Sequence, residues 1–156
     1  MDYVFPEELE EEELQLEEMN EAVNEEPSGY RKSICFDEVA GDFKQDGTKK
    51  LMEADGVEAW IQWCMKILQT KRYVCQAYSD DIGIDTDQIF QSADRKEVEN
   101  LLRREIVDAL EADPYGRTEM VQSVEFQWND DTTVEVLCKI VGVGSNETEL
   151  QTVIGK

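Results

Sequence analysis

The chain has 156 residues, and 37 Asp and Glu against 15 Lys and Arg give it a formal net charge of -22 at pH 7, with no histidine. A chain of this length supports one hydrophobic core. Its negative field repels phosphate backbones and anionic lipid, which disfavours direct binding to nucleic acid or to a membrane and leaves proteins as the expected partners. Catalysis by a serine or cysteine nucleophile with a histidine base is excluded.

Residues 1–28 hold 12 Asp and Glu and no Lys or Arg. Such a segment buries too little apolar surface to offset its ordering entropy, so we predict an acidic, extended or disordered tail over residues 1–28 and one domain over residues 29–156. Phe5 and Leu9 are candidates for docking this tail on a neighbouring protein, and a purely solubilising tail is the alternative. The acidic start predicts no signal peptide, so we expect a protein made and kept in a cytoplasm.

Short β structure is predicted for residues 30–52, where Asp46-Gly47 has the composition of a hairpin turn. Asp55 then caps an amphipathic helix that ends at Gln69-Thr70. The apolar residues at helical spacing in this segment are Val57, Trp60, Ile61, Cys64 and Leu68.

The middle of the chain is predicted to contain a strand, a turn and a second long helix. Residues 72–78 are rich in β-branched and aromatic side chains, which predicts a strand, and residues 79–83 have the composition of a polar turn. Asp85 caps a short helical turn, and Asp94 opens a helix that ends before Asp113-Pro114. Its apolar residues at helical spacing are Val98, Leu101, Leu102, Ile106, Ala109 and Leu110.

The last third alternates between apolar and polar residues, which is typical of strands. Residues 124–128 and 134–140 alternate on either side of an Asn-Asp-Asp turn, and residues 150–154 form a last strand. Helices followed by a meander of strands predict an α+β fold, with the helices packed on one face of a small, mostly antiparallel sheet.

No pattern in the sequence predicts a metal, a cofactor or a catalytic site. The cysteines lack a C-x-x-C pair and occur in apolar patterns, which favours buried, reduced thiols. They are Cys35, Cys64, Cys75 and Cys138. The acidic cluster at Asp80, Asp81, Asp85 and Asp87 lacks the spacing and the closing glutamate of a calcium loop. With so many acidic residues, no carboxylate pair stands out as a glycosidase dyad, and we predict that the chain is not an enzyme.

Several motifs, in order, resemble the XkdS-type proteins of contractile-tailed phages and of PBSX-like defective prophages, which are related to the lysozyme-like baseplate wedge subunit of T-even phages. The matching segments are Phe5 to Glu7, Phe36 to Phe43, the helix start at Asp55 to Ala59, the strand start at Thr70, Arg72 and Tyr73, the turn at Tyr78, Ser79 and Gly83, and the helix exit at Asp113 and Pro114. The usual aromatic before the turn glycine is replaced here by Ile82.

The resemblance implies a non-enzymatic baseplate wedge subunit, present in several symmetric copies in the virion and assembled in the host cytoplasm. It implies contacts with the tail sheath protein and with other wedge and hub proteins, and it implies that this subunit templates the first sheath ring. Strand addition to an exposed edge is the physical route, and the C-terminal strands are the candidate edge. The residues proposed for it are Leu150, Thr152 and Ile154.

The relatives carry a Glu-Pro-Arg motif where this chain has Asp113-Pro114-Tyr115-Gly116-Arg117. The resemblance therefore implies an ion pair between Asp113 and Arg117, and an ordinary surface pair contributing under about 1 kcal/mol is the alternative. Pro114, Arg72 and Tyr73 are further candidate interface residues. Two other functions stay open: a peptidoglycan hydrolase, suggested by the lysozyme-like family label, and an acidic cytoplasmic adaptor unrelated to phage.

Overall fold

The computed structural model describes residues 30–37 and 39–156, so the predicted tail with Phe5 and Leu9 lies outside the described residues. The elements in chain order are β1 (Ser33–Ile34), β2 (Phe36–Asp37), β3 (Asp42–Phe43), β4 (Glu53–Ala54), α1 (Gly56–Gln69), α2 (Thr86–Ile89), α3 (Arg95–Glu111), β5 (Thr118–Trp128), β6 (Thr133–Gly142) and β7 (Asn146–Gly155). Within these residues no helix has the length and apolarity to cross a bilayer.

Helix α1 begins where the sequence predicts. The Asp55 side chain accepts a hydrogen bond from the Glu58 backbone amide at 2.8 Å, which satisfies a first-turn donor that the helix itself leaves unpaired. The buried side chains of α1 form one stripe that packs over β7. They are Ala59, Trp60, Cys64, Ile67 and Leu68.

Helix α3 is capped by Asp94, whose carboxylate accepts from the Lys96 amide, and it packs over β5. Five of its six predicted apolar positions are buried, namely Val98, Leu102, Ile106, Ala109 and Leu110. Leu101 differs, because it is 38% exposed. The predicted cap of α2 is also confirmed, since the Asp85 carboxylate accepts from the Gln88 amide.

The strands β5, β6 and β7 form one antiparallel sheet in that order. Alternate residues of β6 are fully buried against the helices, and the residues between them are half-buried on the opposite face. Both long helices cover the same face, so the predicted α+β fold is confirmed. The buried β6 side chains are Val134, Val136, Cys138 and Ile140.

Residues 30–52 form short antiparallel ribbons, as predicted. β1 pairs with β4 and β2 pairs with β3, and a further bridge joins Gln45 to Leu51. The predicted turn between them is stabilised by Asp46, whose carboxylate accepts from the amides of Thr48 and Lys50. The Thr48 hydroxyl and these amides lower the pKa of Asp46, because they stabilise its charged form.

The strand predicted for residues 72–78 is wrong. This segment consists of turns, and the nearest bridge, from Lys71 to Ile84, lies just before it. Tyr73 has a left-handed φ of 67°, which a strand does not allow, so β-branched and aromatic composition is overridden here by local backbone geometry. As a consequence Cys75 is exposed, and the prediction that all four cysteines are buried is wrong for this one.

We predict that replacing Gly142 with alanine destabilises the fold. A Cβ at this position would lie 2.2 Å from the Tyr30 hydroxyl oxygen and 2.6 Å from the Trp60 ring. Overpacking of this kind should lower the free energy of unfolding by about 1–3 kcal/mol in urea denaturation. The matched control is Gly47→Ala, where a Cβ meets nothing within 4 Å and stability should be unchanged. Equal losses in both variants would contradict the tight packing at Gly142.

Thiol reactivity should separate Cys75 from the other cysteines. Burial raises the pKa of the Cys64 and Cys138 thiols from 9.0 to about 12, so both stay protonated in the folded state. One thiol per chain should react rapidly with Ellman's reagent at pH 8, and Cys75→Ser should abolish that reaction. Because the folded-state pKa values of these two thiols are raised, the stabilisation that comes from keeping them protonated is complete below pH 9. This stabilisation is lost as the pH rises toward 12. Rapid reaction of several thiols at pH 8 would contradict this arrangement.

Candidate functional site

The outer edge of β7 presents backbone groups that β6 does not bind. The Lys156 amide donates to the Thr132 carbonyl at 3.1 Å, which continues the register of β6 and β7 by one hydrogen-bonded pair. Hydrogen-bonded and open pairs alternate in an antiparallel ladder, and this ladder has no bulge. Glu149, Gln151 and Val153 therefore direct their N–H and C=O groups away from β6.

The opposite edge of the sheet, on β5, is protected. Two register shifts interrupt its pairing with β6, and Arg103 of α3 donates to the Val124 carbonyl at 3.4 Å on the outer side of the strand. Bulges and covering side chains are devices by which proteins prevent unwanted strand pairing. β7 has neither device among the described residues, and its last part, residues 151–154, carries no charge and no proline. It is the open edge of this sheet.

The interface residues predicted on β7 take an unexpected orientation. Leu150, Thr152 and Ile154 are buried with their side chains toward the helices, and in the register above their amides point toward β6. A partner strand at this edge would bind the backbone of the alternate residues, Gln151 and Val153. Sequence periodicity gives the side-chain face but not the phase of the hydrogen bonds, which is why the sequence did not identify these positions.

Asp113 and Arg117 form a buried, bidentate ion pair. Arg117 Nε donates to Asp113 Oδ2 at 2.7 Å and Nη2 donates to Oδ1 at 3.0 Å, with side chains 6% and 0% exposed. The Gly116 amide donates to the Asp113 carbonyl, which makes a tight turn with Pro114 at its second position and a left-handed Gly116. The alternative of a surface ion pair is therefore wrong, and neither charged group is accessible to a partner.

This ion pair lies where the helices meet the sheet. The Arg117 guanidinium is 5.6 Å from the Trp63 ring centroid and 5.1 Å from that of Tyr115. The Arg117 carbonyl accepts from the Val143 amide in the β6–β7 loop at 2.9 Å. The Trp60 indole N–H donates to the Thr118 hydroxyl at the start of β5. The pair thus joins α1, α3, β5 and the β6–β7 hairpin.

Arg72 and Tyr73 lie apart from the ion pair, in the loop between α1 and α2. Arg72 is largely buried, pairing with Glu105 of α3 at 3.3 Å and donating to the Gly83 carbonyl at 3.1 Å. Glu105 also accepts from the Asp85 amide, so this group anchors both ends of the loop. Arg72 is therefore a structural residue, whereas Tyr73 is 63% exposed. Glu105 was missed because no local pattern links residues so far apart in sequence.

The chemistry of the described acidic residues is that of turns and ion pairs. The pKa is lowered for each carboxyl group that has a shifted value, namely Asp37, Asp46 and Asp130. The main cause is hydrogen bonds from nearby turn amides and threonine hydroxyls. A general acid requires a raised pKa, which none of these three has. Over residues 30–37 and 39–156 no cluster of three or more His, Cys, Asp and Glu has the arrangement of a metal site.

Comparison with known protein families identifies a match over most of the domain. The model of the contractile injection system sheath initiator matches residues 32–143, which is more than two thirds of the chain. The matched region contains the ion pair, both long helices and β5 and β6, and it ends before β7 begins. No curated protein matches the chain.

Removing Asp113 should be far more damaging than removing an exposed partner of an arginine. Asp113→Ala leaves the Arg117 guanidinium buried without its counter-charge, and we expect a loss of about 3–5 kcal/mol in the free energy of unfolding. The matched control is Asp108→Ala, which breaks an exposed pair with Arg104 and should cost under about 1 kcal/mol. Urea denaturation measures both. Similar small losses would show that the pair does not join the helices to the sheet.

Proposed function

This chain belongs to the sheath initiator family of contractile injection systems, and we propose that it is the baseplate subunit on which the first ring of the tail sheath assembles, through strand addition at the outer edge of β7. The single observation that supports this route is the uninterrupted outer edge of β7, whose outward backbone groups have no partner among residues 30–37 and 39–156. An extended segment of a sheath subunit would extend the sheet by one strand and bind these groups.

The free energy available from one added strand indicates that the sheath is held by many weak contacts and not by one strong contact. A hydrogen bond contributes about 0.5–1.5 kcal/mol net, so a strand paired with the few outward residues of β7 would gain only a few kcal/mol. Several symmetric copies around the tail axis would add these contacts as linked binding events. We propose such a ring of copies, with the sheet of each copy held rigid by the Asp113–Arg117 pair so that every edge is presented in the same orientation.

The other predicted partners are proposals of the same kind. We assign this subunit to the baseplate wedge, in contact with further wedge and hub proteins as well as the sheath. Tyr73 and Pro114 are both exposed, and we propose them for such contacts. Phe5 and Leu9 are proposed to dock on a neighbour in the assembled particle.

A structural function is better supported than either alternative. The family is one of sheath assembly, and the shifted pKa values of described carboxyl groups, those of Asp37, Asp46 and Asp130, are lowered, opposite to the direction a hydrolase acid requires. The unrelated acidic adaptor has no comparable support. We therefore propose a subunit without enzymatic activity.

Proline substitutions at neighbouring positions of β7 test the proposed edge. Val153→Pro removes an outward amide, so the subunit should fold with a loss of about 1 kcal/mol or less while sheath polymerisation on its baseplates fails. Thr152→Pro removes an amide directed at β6 and should cost about 3 kcal/mol or more in the isolated subunit. Urea denaturation and electron microscopy of assembling particles are the measurements.

The matched control is Val153→Ala, which keeps the amide and should support normal sheaths. Full-length sheaths on baseplates carrying folded Val153→Pro subunits would exclude the β7 edge as the template. Failure with Val153→Ala as well would assign the effect to the side chain instead of the backbone.

A further inference from the structure

A second surface of the molecule, remote in sequence from β7, is an open groove between α1 and the short ribbons. It has a volume of about 500 Å³ and an apolar lining that includes Ile34, Phe36, Phe43 and Trp63, with Lys66 at its side. Phe36 and Phe43 pack edge to face, with ring centroids 5.6 Å apart. We call this surface the ribbon groove.

The ribbon groove leaves apolar side chains uncovered by the described residues. Ile34, Phe36 and Phe43 are 42%, 39% and 47% exposed. Scattered apolar residues at a surface need no explanation, but a contiguous set lining a concave surface is typical of a binding site. The volume falls in the range of sites that hold a few side chains of a bound segment.

Electrostatics restrict what can bind there. Residues 30–71 form the groove and its surroundings, and they contain seven Lys and Arg and seven Asp and Glu. Residues 72–156 contain eight Lys and Arg and 18 Asp and Glu. This region is thus the least negative part of the chain. The negatively charged remainder of the molecule repels an acidic segment, so such a segment binds most favourably at the ribbon groove, where this repulsion is weakest.

We propose that in the unassembled subunit the ribbon groove is occupied by the acidic segment 1–29 of the same chain. That segment combines its 12 acidic residues with apolar residues that fit an apolar groove. The apolar residues of segment 1–29 include Phe5, Leu9, Leu16, Met19 and Val23. A segment held this way covers the exposed aromatic residues until assembly offers it another site.

The connection point of the segment makes this pairing favourable. Segment 1–29 joins the described chain at Tyr30, whose ring lies 5.5 Å from that of Trp60 on α1. Ile34 of the groove follows four residues later, which is at most about 14 Å of extended chain. A tethered segment has an effective local concentration in the millimolar range, so weak contacts suffice to hold it.

Photo-crosslinking in the full-length subunit tests the proposal. With p-benzoylphenylalanine in place of Met19, we expect crosslinks within one chain to peptides containing residues 33–43 or 59–70, in the monomer band of a gel. Lys66→Glu should reduce this yield about fivefold, because it replaces attraction to the acidic segment with repulsion. The matched control is Lys96→Glu, an equal charge change at an exposed site on α3, which should leave the yield unchanged.

A second groove variant, Phe43→Ser, should also reduce the yield, and its unfolding curve shows whether the ribbons stay intact. Crosslinks to other surfaces, crosslinks only in a dimer band, or equal yields with Lys66→Glu and Lys96→Glu would each overturn the proposal. These outcomes are independent of the β7 edge, because the experiment needs neither sheath nor baseplate.

Discussion

The buried ion pair of Asp113 and Arg117 is the interaction on which the rest of the structure depends. Burying two charges is costly, and the cost is offset here by a bidentate contact, by backbone amides that donate to the same carboxylate, and by the aromatic rings beside the guanidinium. Because the pair lies between the end of α3 and the start of β5, it links the helices to the sheet. Under the proposed function this link matters for orientation, because a template has to present every edge in the same direction.

The two edges of the sheet differ in how well they are protected from pairing with another strand. β5 is irregular and is covered by Arg103, whereas β7 is regular and open along the described chain. An open edge is a hazard in a free protein because it pairs with other strands, and the overall charge of -22 opposes such association between copies. The acidic composition and the open edge are therefore compatible, because repulsion disfavours pairing between copies of this chain.

The sequence predicted much of this architecture because caps and hydrophobic periodicity are local signals. Asp55, Asp85 and Asp94 cap helices where expected, and the alternation in β6 gives its buried face. Other features depend on tertiary contacts that no local pattern encodes. Residues 72–78 form turns instead of the predicted strand, and Tyr73 among them has a left-handed backbone conformation. The ion pair between Arg72 and Glu105, which are far apart in sequence, was not predicted. To identify the outward amides of β7, one must know which residue pairs of the β6–β7 ladder are hydrogen-bonded, and hydrophobic periodicity does not provide this.

Hydrogen exchange at the amides of β7 is the most direct test of strand addition at this edge. In the free subunit the outward amides of Gln151 and Val153 should exchange rapidly, while the inward amides of Leu150 and Thr152 should exchange slowly. When the sheath is assembled on the baseplate, we expect strong protection of the two outward amides and little change at the two inward ones. Outward amides that exchange equally fast in free subunits and in sheathed particles would contradict strand addition at this edge.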